Sequence, residues 1–494
     1  MSRKKNLFIS IVSTILSRGI GFLRTLVETT LLGLGMFSDS YMAAFRLTNF
    51  FRELFGEGAM AGAFIPVYSK IKHEKSEKLA YSFFFFASIF VFLLSCSIYL
   101  LLNFFLEDIL KVWLIDFTPQ KIDTTKNLAT IMLPYLVFIS LASMFLLLHQ
   151  IKEKFFYSSI HPILFSFSII VFGITNPLSH HAKSLALGLM IGGLLQLLLL
   201  IFTIKTPLVS LSDFQKILPY LKKMSLLLIP VIFSLMVSRI NRLIDLSFAS
   251  GLLSGSLSSL VYATVLINVP LGFIGVATNN VIFPVIAKLK ASKKHNQFQK
   301  EVIEVFYYLS FIGIPVSIFL YLFSYDICKV LFIEIPKFLS IKSMFDQAAL
   351  SLLASSLKYY SPALLSLLLL PFVIKIFHSC SDTKTPALIT LFGVIINIVL
   401  NFYFTPIWQN KGIAGATTIA SYAQLFLLIL FLSKKNILLF SKKTFISSFQ
   451  ILLFCFLLIF ICEEIHSSFS PLPELFLFFI PLLIFHLFQK NYKK

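Results

Sequence analysis

Residues 80–106 read AYSFFFFASIFVFLLSCSIYLLLNFFL, a stretch without a charged side chain. About 20 apolar residues are needed for a helix to cross the hydrocarbon core of a bilayer, so this stretch is long enough to span one. Because lipid offers no hydrogen-bond partner to bare backbone, a spanning stretch is expected to be helical. Similar apolar runs fill most of the 494 residues. The sequence therefore predicts an all-α polytopic membrane protein.

The composition supports this class and argues against others. Apolar residues make up 57% of the chain and charged residues only 13%, whereas soluble domains carry roughly 25% charged residues. The short alternating strands of a membrane β-barrel do not occur. The five cysteines are scattered without a C-x-x-C pair, so the sequence indicates neither a disulfide framework nor a zinc site. The basic, then apolar start lacks a small-residue cleavage site and is interpreted as a retained first span.

Hydropathy divides the chain into about fourteen spans. The predicted spans are 8–28, 40–68, 80–106, 131–150, 158–176, 184–204, 224–248, 258–287, 304–325, 352–378, 386–405, 412–432, 444–462 and 472–488. Prolines and glycines predict interruptions in the first span and at its exit, in the seventh span and in the eighth. The residues are Gly19, Gly21, Gly33 and Gly35 for the first, Pro230 for the seventh, and Pro270 and Gly272 for the eighth.

Lysine and arginine are distributed unevenly between the connecting segments. The N-terminus and every second loop hold 26 of them, and the remaining loops hold 8. By the positive-inside rule an even number of spans with both termini cytoplasmic follows. We expect a multi-pass protein of the cytoplasmic (inner) membrane. The same asymmetry explains most of the net charge of +20, so we expect no nucleic-acid partner.

A basic linker around residues 205–223 follows the sixth span and suggests the domain organisation. We expect an N-terminal lobe at 1–205 with spans one to six, a C-terminal lobe at 206–433 with spans seven to twelve, and a hairpin of the last two spans at 434–494. Two six-helix lobes are a common plan among transporters.

Ionisable residues at membrane depth concentrate near the start of the chain. Because such residues are costly in lipid, they normally face a cavity or a partner. One reading is that they form structural ion pairs between helices. The other is that the arginines line a cavity for an anionic, phosphorylated ligand, since guanidinium suits bidentate recognition of phosphate oxygens. The residues are Arg18, Arg24, Glu28, Asp39, Arg46, Arg52, Glu53 and Glu57.

A second charged cluster lies in the seventh span, with Arg239, Arg242 and Asp245. Arg242 and Asp245 are three residues apart and share a helix face, so an internal ion pair is one interpretation. Further on, Asn397 and Asn401 stack on one helix face, and Thr417 lies in the next span.

The carboxylate of Asp245 with amide and hydroxyl oxygens forms a hard-ligand set suited to Na⁺. The alternative is that the two asparagines only join helices by hydrogen bonds. No catalytic motif of a hydrolase, metalloprotease or P-loop enzyme occurs, so we expect no enzyme and no cofactor beyond Na⁺ as a coupling ion.

Residues 17–70 carry the patterns S-R-x-x-G-F-x-R, G-x-G-x-x-x-D, A-F-R-L-x-N and R-x-L-F-x-E-G-A-x-x-x-A-F-x-P. Further stretches of interest are VSRINRLIDLSFAS at 237–250, SDTKTP at 381–386 and GIAGATTIAS at 412–421. Together they resemble the MurJ/MviN family of lipid II flippases, within the multidrug/oligosaccharidyl-lipid/polysaccharide exporter superfamily. The resemblance covers nearly the whole chain and implies the fold of that superfamily.

The resemblance also implies roles for individual residues. Substrate binding is expected from charged positions of the first two helices that match the family's cavity, namely Arg18, Arg24, Asp39 and Arg52. A sodium site is expected at Asp245, Asn397, Asn401 and Thr417. In two places the chain departs from the family pattern: Thr25 replaces an acidic residue, and Val265 stands where the family has arginine. Arg239 and Arg242 are extra charges in the neighbouring seventh span and are candidates to replace that guanidinium in substrate binding. The alternative is a pocket that is less cationic than in the family.

The leading functional hypothesis is a flippase that carries lipid II to the outer leaflet by alternating access, working beside cell-wall synthesis enzymes. One alternative is an exporter of another polyprenyl-pyrophosphate-linked saccharide, or a drug/ion antiporter of the same superfamily. A drug exporter is expected to carry acidic rather than arginine-rich cavity residues. A membrane-embedded glycosyltransferase would need a catalytic residue in a sizeable outer loop, and a scaffold would leave the membrane arginines unexplained.

Overall fold

A computed structural model describes residues 3–54, 59–204, 209–292 and 294–435. All regular secondary structure in these ranges is helical, which confirms the expected all-α class. The predicted spans at 444–462 and 472–488 lie outside the described residues.

The helices of the described ranges are numbered in chain order. They are α1 (Arg3–Leu32), α2 (Met36–Arg52), α3 (Ala59–Glu74), α4 (Glu77–Phe104), α5 (Leu106–Trp113), α6 (Pro119–Met132), α7 (Tyr135–Ile151), α8 (Phe155–Thr175), α9 (His181–Phe202), α10 (Phe214–Ser250), α11 (Ser256–Pro270), α12 (Val276–Ala291), α13 (His295–Leu322), α14 (Ser324–Lys329), α15 (Ile335–Phe338), α16 (Gln347–Tyr360), α17 (Ala363–Ser379), α18 (Lys384–Trp408) and α19 (Asn410–Lys434).

Many of these helices have the length and apolar character of a membrane span. In the described part of the chain seven segments meet both criteria, and α16 with α17, bent by 45°, would form an eighth. The helices α1 and α10 are also long enough but carry arginine and glutamate or aspartate residues. The chain is thus a multi-pass membrane protein, while the count of fourteen spans stays a prediction.

The described residues group into two compact units. One holds the chain up to Ser258 together with Pro336–Phe345, and the other holds Ser259–Ile335 and the described residues from Asp346 onward. The division into lobes at residue 205, inferred from the basic linker, stays a prediction.

Each unit has its own apolar core. In the first unit, aromatic side chains of α3 and α4 stack, with the rings of Phe64 and Phe83 5.4 Å apart, and Met144 and Ile217 are buried against them. In the second unit, Phe298, Phe377 and Leu428 are fully buried. Close packing of such rings and aliphatic chains, rather than the hydrophobic effect alone, holds helices together in lipid.

The predicted interruptions have mixed outcomes. At Pro270 the helix does change: a π turn at Leu271–Gly275 separates α11 from α12. The predicted interruption at Pro230 is wrong, since α10 continues through it from Phe214 to Ser250. The interruptions expected at Gly19 and Gly21 are also wrong, because α1 is continuous to Leu32. The hydrogen bonds of the neighbouring helical turns retain the helix where a single proline removes one donor.

The turn after α1 requires a glycine. Gly33 has φ 58°, a left-handed conformation that glycine adopts without strain. A Cβ atom there would lie 2.6 Å from the carbonyl oxygen of Met344. The amide of Met344 donates a hydrogen bond to the carbonyl of Thr30 at 3.0 Å. This contact holds the segment Pro336–Phe345 against the end of α1 within the first unit.

The contact of α9 with α7 depends on a second glycine. A Cβ atom on Gly193 would lie 2.1 Å from the ring of Tyr135, whose side chain is buried. We expect Gly193→Ala to lower the free energy of unfolding by about 1–3 kcal/mol, the usual cost of overpacking. Gly415→Ala, where nothing lies within 4 Å, is the matched control and should be neutral or stabilising. Thermal unfolding of the purified protein in detergent measures both, and equal stability of the two variants would contradict the packing.

The SDTKTP stretch at 381–386 connects the start of α18 to the end of α19. Asp382 accepts hydrogen bonds from the backbone amide of Thr385 at 3.0 Å and from the ammonium group of Lys435. These bonds lower the pKa of Asp382 to about 2. The motif therefore caps the start of α18 and ties it to the end of α19, which is a structural role.

Candidate anion-binding site

Polar residues of α2 form one face of that helix. Arg46, Asn49, Phe50 and Glu53 follow the spacing of three and four residues that places side chains side by side. On α10, Arg239 and Arg242 are spaced by three residues and also share a face. These two faces, with Leu243, line a pocket within the first unit. The pocket brings together charges nearly 190 positions apart in sequence.

Glu53 lies at the centre of this pocket. Its Oε2 atom lies 2.9 Å from Nε of Arg239 and accepts a hydrogen bond from Nη2 of Arg242 at 2.8 Å. Its Oε1 atom accepts from Nδ2 of Asn49 at 3.0 Å. Nε of Arg52 then donates to Oδ1 of Asn49 at 2.6 Å, which extends the network to a further guanidinium. A single carboxylate thus joins two helices through two arginines and an amide.

Arginines outnumber carboxylates among the side chains that line this pocket. The lining holds the guanidinium groups of Arg46, Arg239 and Arg242 and the carboxylate of Glu53. Glu53 is 14% exposed, whereas Arg239 and Arg242 are 38% and 44% exposed. The two arginines of α10 therefore present donors to the space around them while also binding Glu53. Paired guanidinium groups of this kind are well suited to bind the oxygens of a phosphate.

Arg24 lies elsewhere in the first unit, between two aromatic rings. Its guanidinium carbon is 5.8 Å from the ring centre of Phe45 and 5.4 Å from that of Phe165. Its Nε atom is 3.6 Å from the buried carboxylate of Glu28, which also accepts a hydrogen bond from the hydroxyl of Tyr41. The side chain of Arg24 is 18% exposed, so this arginine is held largely by protein groups. Its role in substrate binding stays a prediction.

Arg18 lies one and a half turns before Arg24 on α1 and is partly exposed. Within the described residues it forms no ion pair. The spacing of six residues does separate the two arginines, as expected, but Arg24 pairs with Glu28 rather than with Asp39.

Asp39 is almost completely buried, with 1% of its surface exposed. Its Oδ2 atom accepts from the ammonium group of Lys121 at 3.1 Å and from the amide of Gly255 at 2.8 Å. Its Oδ1 atom accepts from the amide and the hydroxyl of Ser258 at 2.9 and 2.8 Å. The carboxylate thereby caps the first turn of α11 and binds a lysine of α6. All four bonds go to protein, so the geometry assigns Asp39 a structural role first.

The start of α2 is capped differently from the sequence interpretation. The G-x-G-x-x-x-D pattern places Asp39 where it could cap its own helix, but the hydroxyl of Ser38 accepts a hydrogen bond from the amide of Gly35 at 2.8 Å instead. The carboxylate one residue further on points to the partners described above. The long-range partners win because a buried carboxylate needs several donors, and one free helix amide does not supply them.

The residues expected to bind sodium fall into the two compact units. Asp245 is buried on α10 in the first unit. In the second unit Nδ2 of Asn401 donates to Oδ1 of Asn397 at 3.1 Å, and Nδ2 of Asn397 donates to Oγ1 of Thr417 at 3.2 Å. The three neutral side chains therefore converge and could offer oxygens to a small cation. No group of three His, Cys, Asp or Glu side chains with metal-site geometry occurs among the described residues. The sodium site stays a prediction.

Sequence reasoning missed several members of these networks. Asn49 belongs to no motif, but its position three residues after Arg46 and four before Glu53 places it on the charged face of α2. Nothing in the sequence around Lys121 marks it as the partner of Asp39. The structure pairs Arg242 with Glu53, whereas sequence spacing had suggested Asp245 as its partner.

The fold is that of a polytopic all-α membrane protein and is shared with solved structures of transporters. A solved structure described as "Lipid II flippase MurJ, inward closed conformation" matches with a TM-score of 0.83 and 23% identity, covering 99% of this chain and 100% of that one. An inward-facing multidrug resistance MATE family transporter of the MOP superfamily matches with a TM-score of 0.70 and 14% identity, over 84% of this chain and 94% of that one.

The family is narrower than this fold class. The family model described as "Lipid II flippase MurJ" matches residues 29–484. A curated relative named "Probable lipid II flippase MurJ", from Buchnera aphidicola subsp. Acyrthosiphon pisum, is 30% identical over 453 residues, which is 89% of this chain and 86% of the relative. The chain belongs to the lipid II flippase MurJ family.

Proposed function

We propose that this chain translocates lipid II from the inner to the outer leaflet of the cytoplasmic membrane by alternating access. The observation that carries the proposal, besides family membership, is the cluster of guanidinium groups around Glu53. Lipid II joins its sugars to the polyprenyl chain through a pyrophosphate. Two adjacent arginines match the oxygens of that group better than a single point charge would.

The proposed binding mode follows from the exposure of the side chains. The side chains of Arg239 and Arg242 are 38% and 44% exposed and would contact the phosphate oxygens directly. Asn49 and Arg52 hold one another and would keep the α2 side of the pocket in place. The polyprenyl tail would remain in the bilayer, so that only the polar headgroup enters the protein.

Orientation and driving force belong to the same proposal. The lysine and arginine asymmetry supports cytoplasmic termini. Na⁺ bound by Asp245, Asn397, Asn401 and Thr417, or the membrane potential, would bias the return of the empty carrier. We further propose that the flippase works beside the enzymes that consume lipid II at the outer surface.

A second candidate is transport of another polyprenyl-pyrophosphate-linked saccharide. The cluster would bind the same pyrophosphate, so the arginines alone do not separate the two substrates. The drug/ion antiporter has less support, because the pocket carries an excess of guanidinium groups over carboxylates.

Reconstitution tests the proposal. The purified chain in liposomes should move fluorescent lipid II to the outer leaflet faster than protein-free liposomes do. A polyprenyl-pyrophosphate lipid with a different saccharide serves as the competing substrate, and a polyprenyl monophosphate lipid as the control. Equal transport rates for the pyrophosphate and the monophosphate lipids would contradict the proposal that the arginine cluster binds the pyrophosphate. Transport of the other saccharide alone would favour the second candidate.

A further inference from the structure

In this structure the guanidinium groups of Arg239 and Arg242 bind a carboxylate of the protein itself. Arg239 and Arg242 both bind the same carboxylate oxygen, Oε2 of Glu53. A phosphate oxygen placed between the two guanidinium groups would occupy the position that this atom holds. Ligand and glutamate therefore compete for the same donors.

The other carboxylate oxygen of Glu53, Oε1, is held by a contact that does not involve the arginines. Its Oε1 atom is bonded to Asn49, one turn earlier on the same helix. This bond does not involve the arginines, so it can persist when Oε2 leaves them. The side chain is 14% exposed, so the displaced oxygen can turn toward the open side of the pocket.

From these contacts we infer that Glu53 is an internal counter-anion: it holds the Arg239 and Arg242 pair in the empty transporter and is displaced by the pyrophosphate of the substrate. This inference rests on the proposed function and adds a competing group to the site. Without a carboxylate, two neighbouring guanidinium groups would repel one another in the empty state. With it, part of the binding energy of the substrate is used to break the internal ion pairs, so the bound lipid is released more readily.

The competition has a measurable consequence. Glu53→Gln removes the competing charge but keeps the shape and the hydrogen bond that Asn49 can make. We expect the purified variant to bind lipid II about tenfold more tightly than the natural protein, corresponding to about 1.4 kcal/mol. Most of the change should appear as slower dissociation, since affinity differences within one site arise mainly in that rate.

Two further variants make the test specific. Glu107→Gln removes one negative charge from a carboxylate that also binds two lysines, Lys111 and Lys126, outside the pocket, and it should leave the affinity unchanged. Glu53→Asp keeps the charge on a shorter side chain and should give an intermediate affinity. It also serves as the folded reference if the glutamine variant does not fold.

The outcomes separate this inference from the proposed function. If lipid II binding depends on Arg239 and Arg242, but Glu53→Gln binds no more tightly than the natural protein, the counter-anion role is wrong and the glutamate is a structural clamp. If a variant that lacks Arg239 and Arg242 binds lipid II as tightly as the natural protein does, the proposed site itself is wrong. A tenfold gain confined to Glu53→Gln, absent in Glu107→Gln, supports the inference.

Discussion

Replacing both Arg239 and Arg242 by glutamine is expected to reduce lipid II translocation about 100-fold, which corresponds to about 2.8 kcal/mol at 1.4 kcal/mol per tenfold change. The two side chains supply partly exposed guanidinium groups to the pocket, so their loss removes the charge-assisted hydrogen bonds to the pyrophosphate. Folding should be retained, because both groups lie at the exposed edge of the site. The rate of headgroup appearance in the outer leaflet of proteoliposomes measures the effect.

The control for this prediction lies on the same helix. Lys222→Gln with Lys223→Gln removes two positive charges from exposed positions of α10 and should keep the natural rate. Lysine at both arginine positions should restore only part of the activity, since an ammonium group keeps the charge but loses the bidentate geometry. Full activity of the double glutamine variant would contradict the site.

Replacing Asp39 by alanine is expected to lower the free energy of unfolding by about 3–5 kcal/mol, the usual cost of removing one partner of a buried ion pair. The variant leaves the ammonium group of Lys121 and the amides of Gly255 and Ser258 without their acceptor. Unfolding of the purified protein in detergent, followed by tryptophan fluorescence, measures the loss.

A second substitution tests the cause of that loss. Lys121→Met in the Asp39→Ala background removes the uncompensated charge, so the double variant should be more stable than Asp39→Ala alone. A double-mutant cycle gives the coupling between the two side chains. If Lys121→Met gives no such gain, the ion pair does not account for the destabilisation.

Sequence patterns predicted the helices of the fold better than the positions at which helices are interrupted. The apolar stretch at 80–106 is the helix α4, Glu77–Phe104, within a few residues. Its prediction needed only the absence of charges over a length that crosses a membrane. Pro270 and Pro230 looked alike in sequence, yet only the first lies beside a change of helix type. Whether a proline interrupts a helix depends on what neighbouring turns and helices contribute, which the local sequence does not contain.

The site was predicted by residue type but not by pairing. Clustered arginines at membrane depth indicated an anion site because their cost demands a partner or a ligand. The partners come from distant positions: Arg242 binds Glu53, and Asp39 binds Lys121. Spacing along one helix predicts contacts between residues three or four positions apart. The two ion pairs instead join residues of different helices. Only the packing of α2 against α10 and α6 defines them.

The central claim is that the arginine cluster carries the pyrophosphate of lipid II across the membrane. The most direct measurement is the sidedness of lipid II in bacteria whose only lipid II flippase is this chain. When the natural protein is depleted and Arg239→Gln with Arg242→Gln is expressed at an equal level, lipid II should accumulate in the inner leaflet and be protected from an externally added lipid II-cleaving enzyme. Lipid II that remains as accessible to that enzyme as in cells with the natural protein would contradict the account.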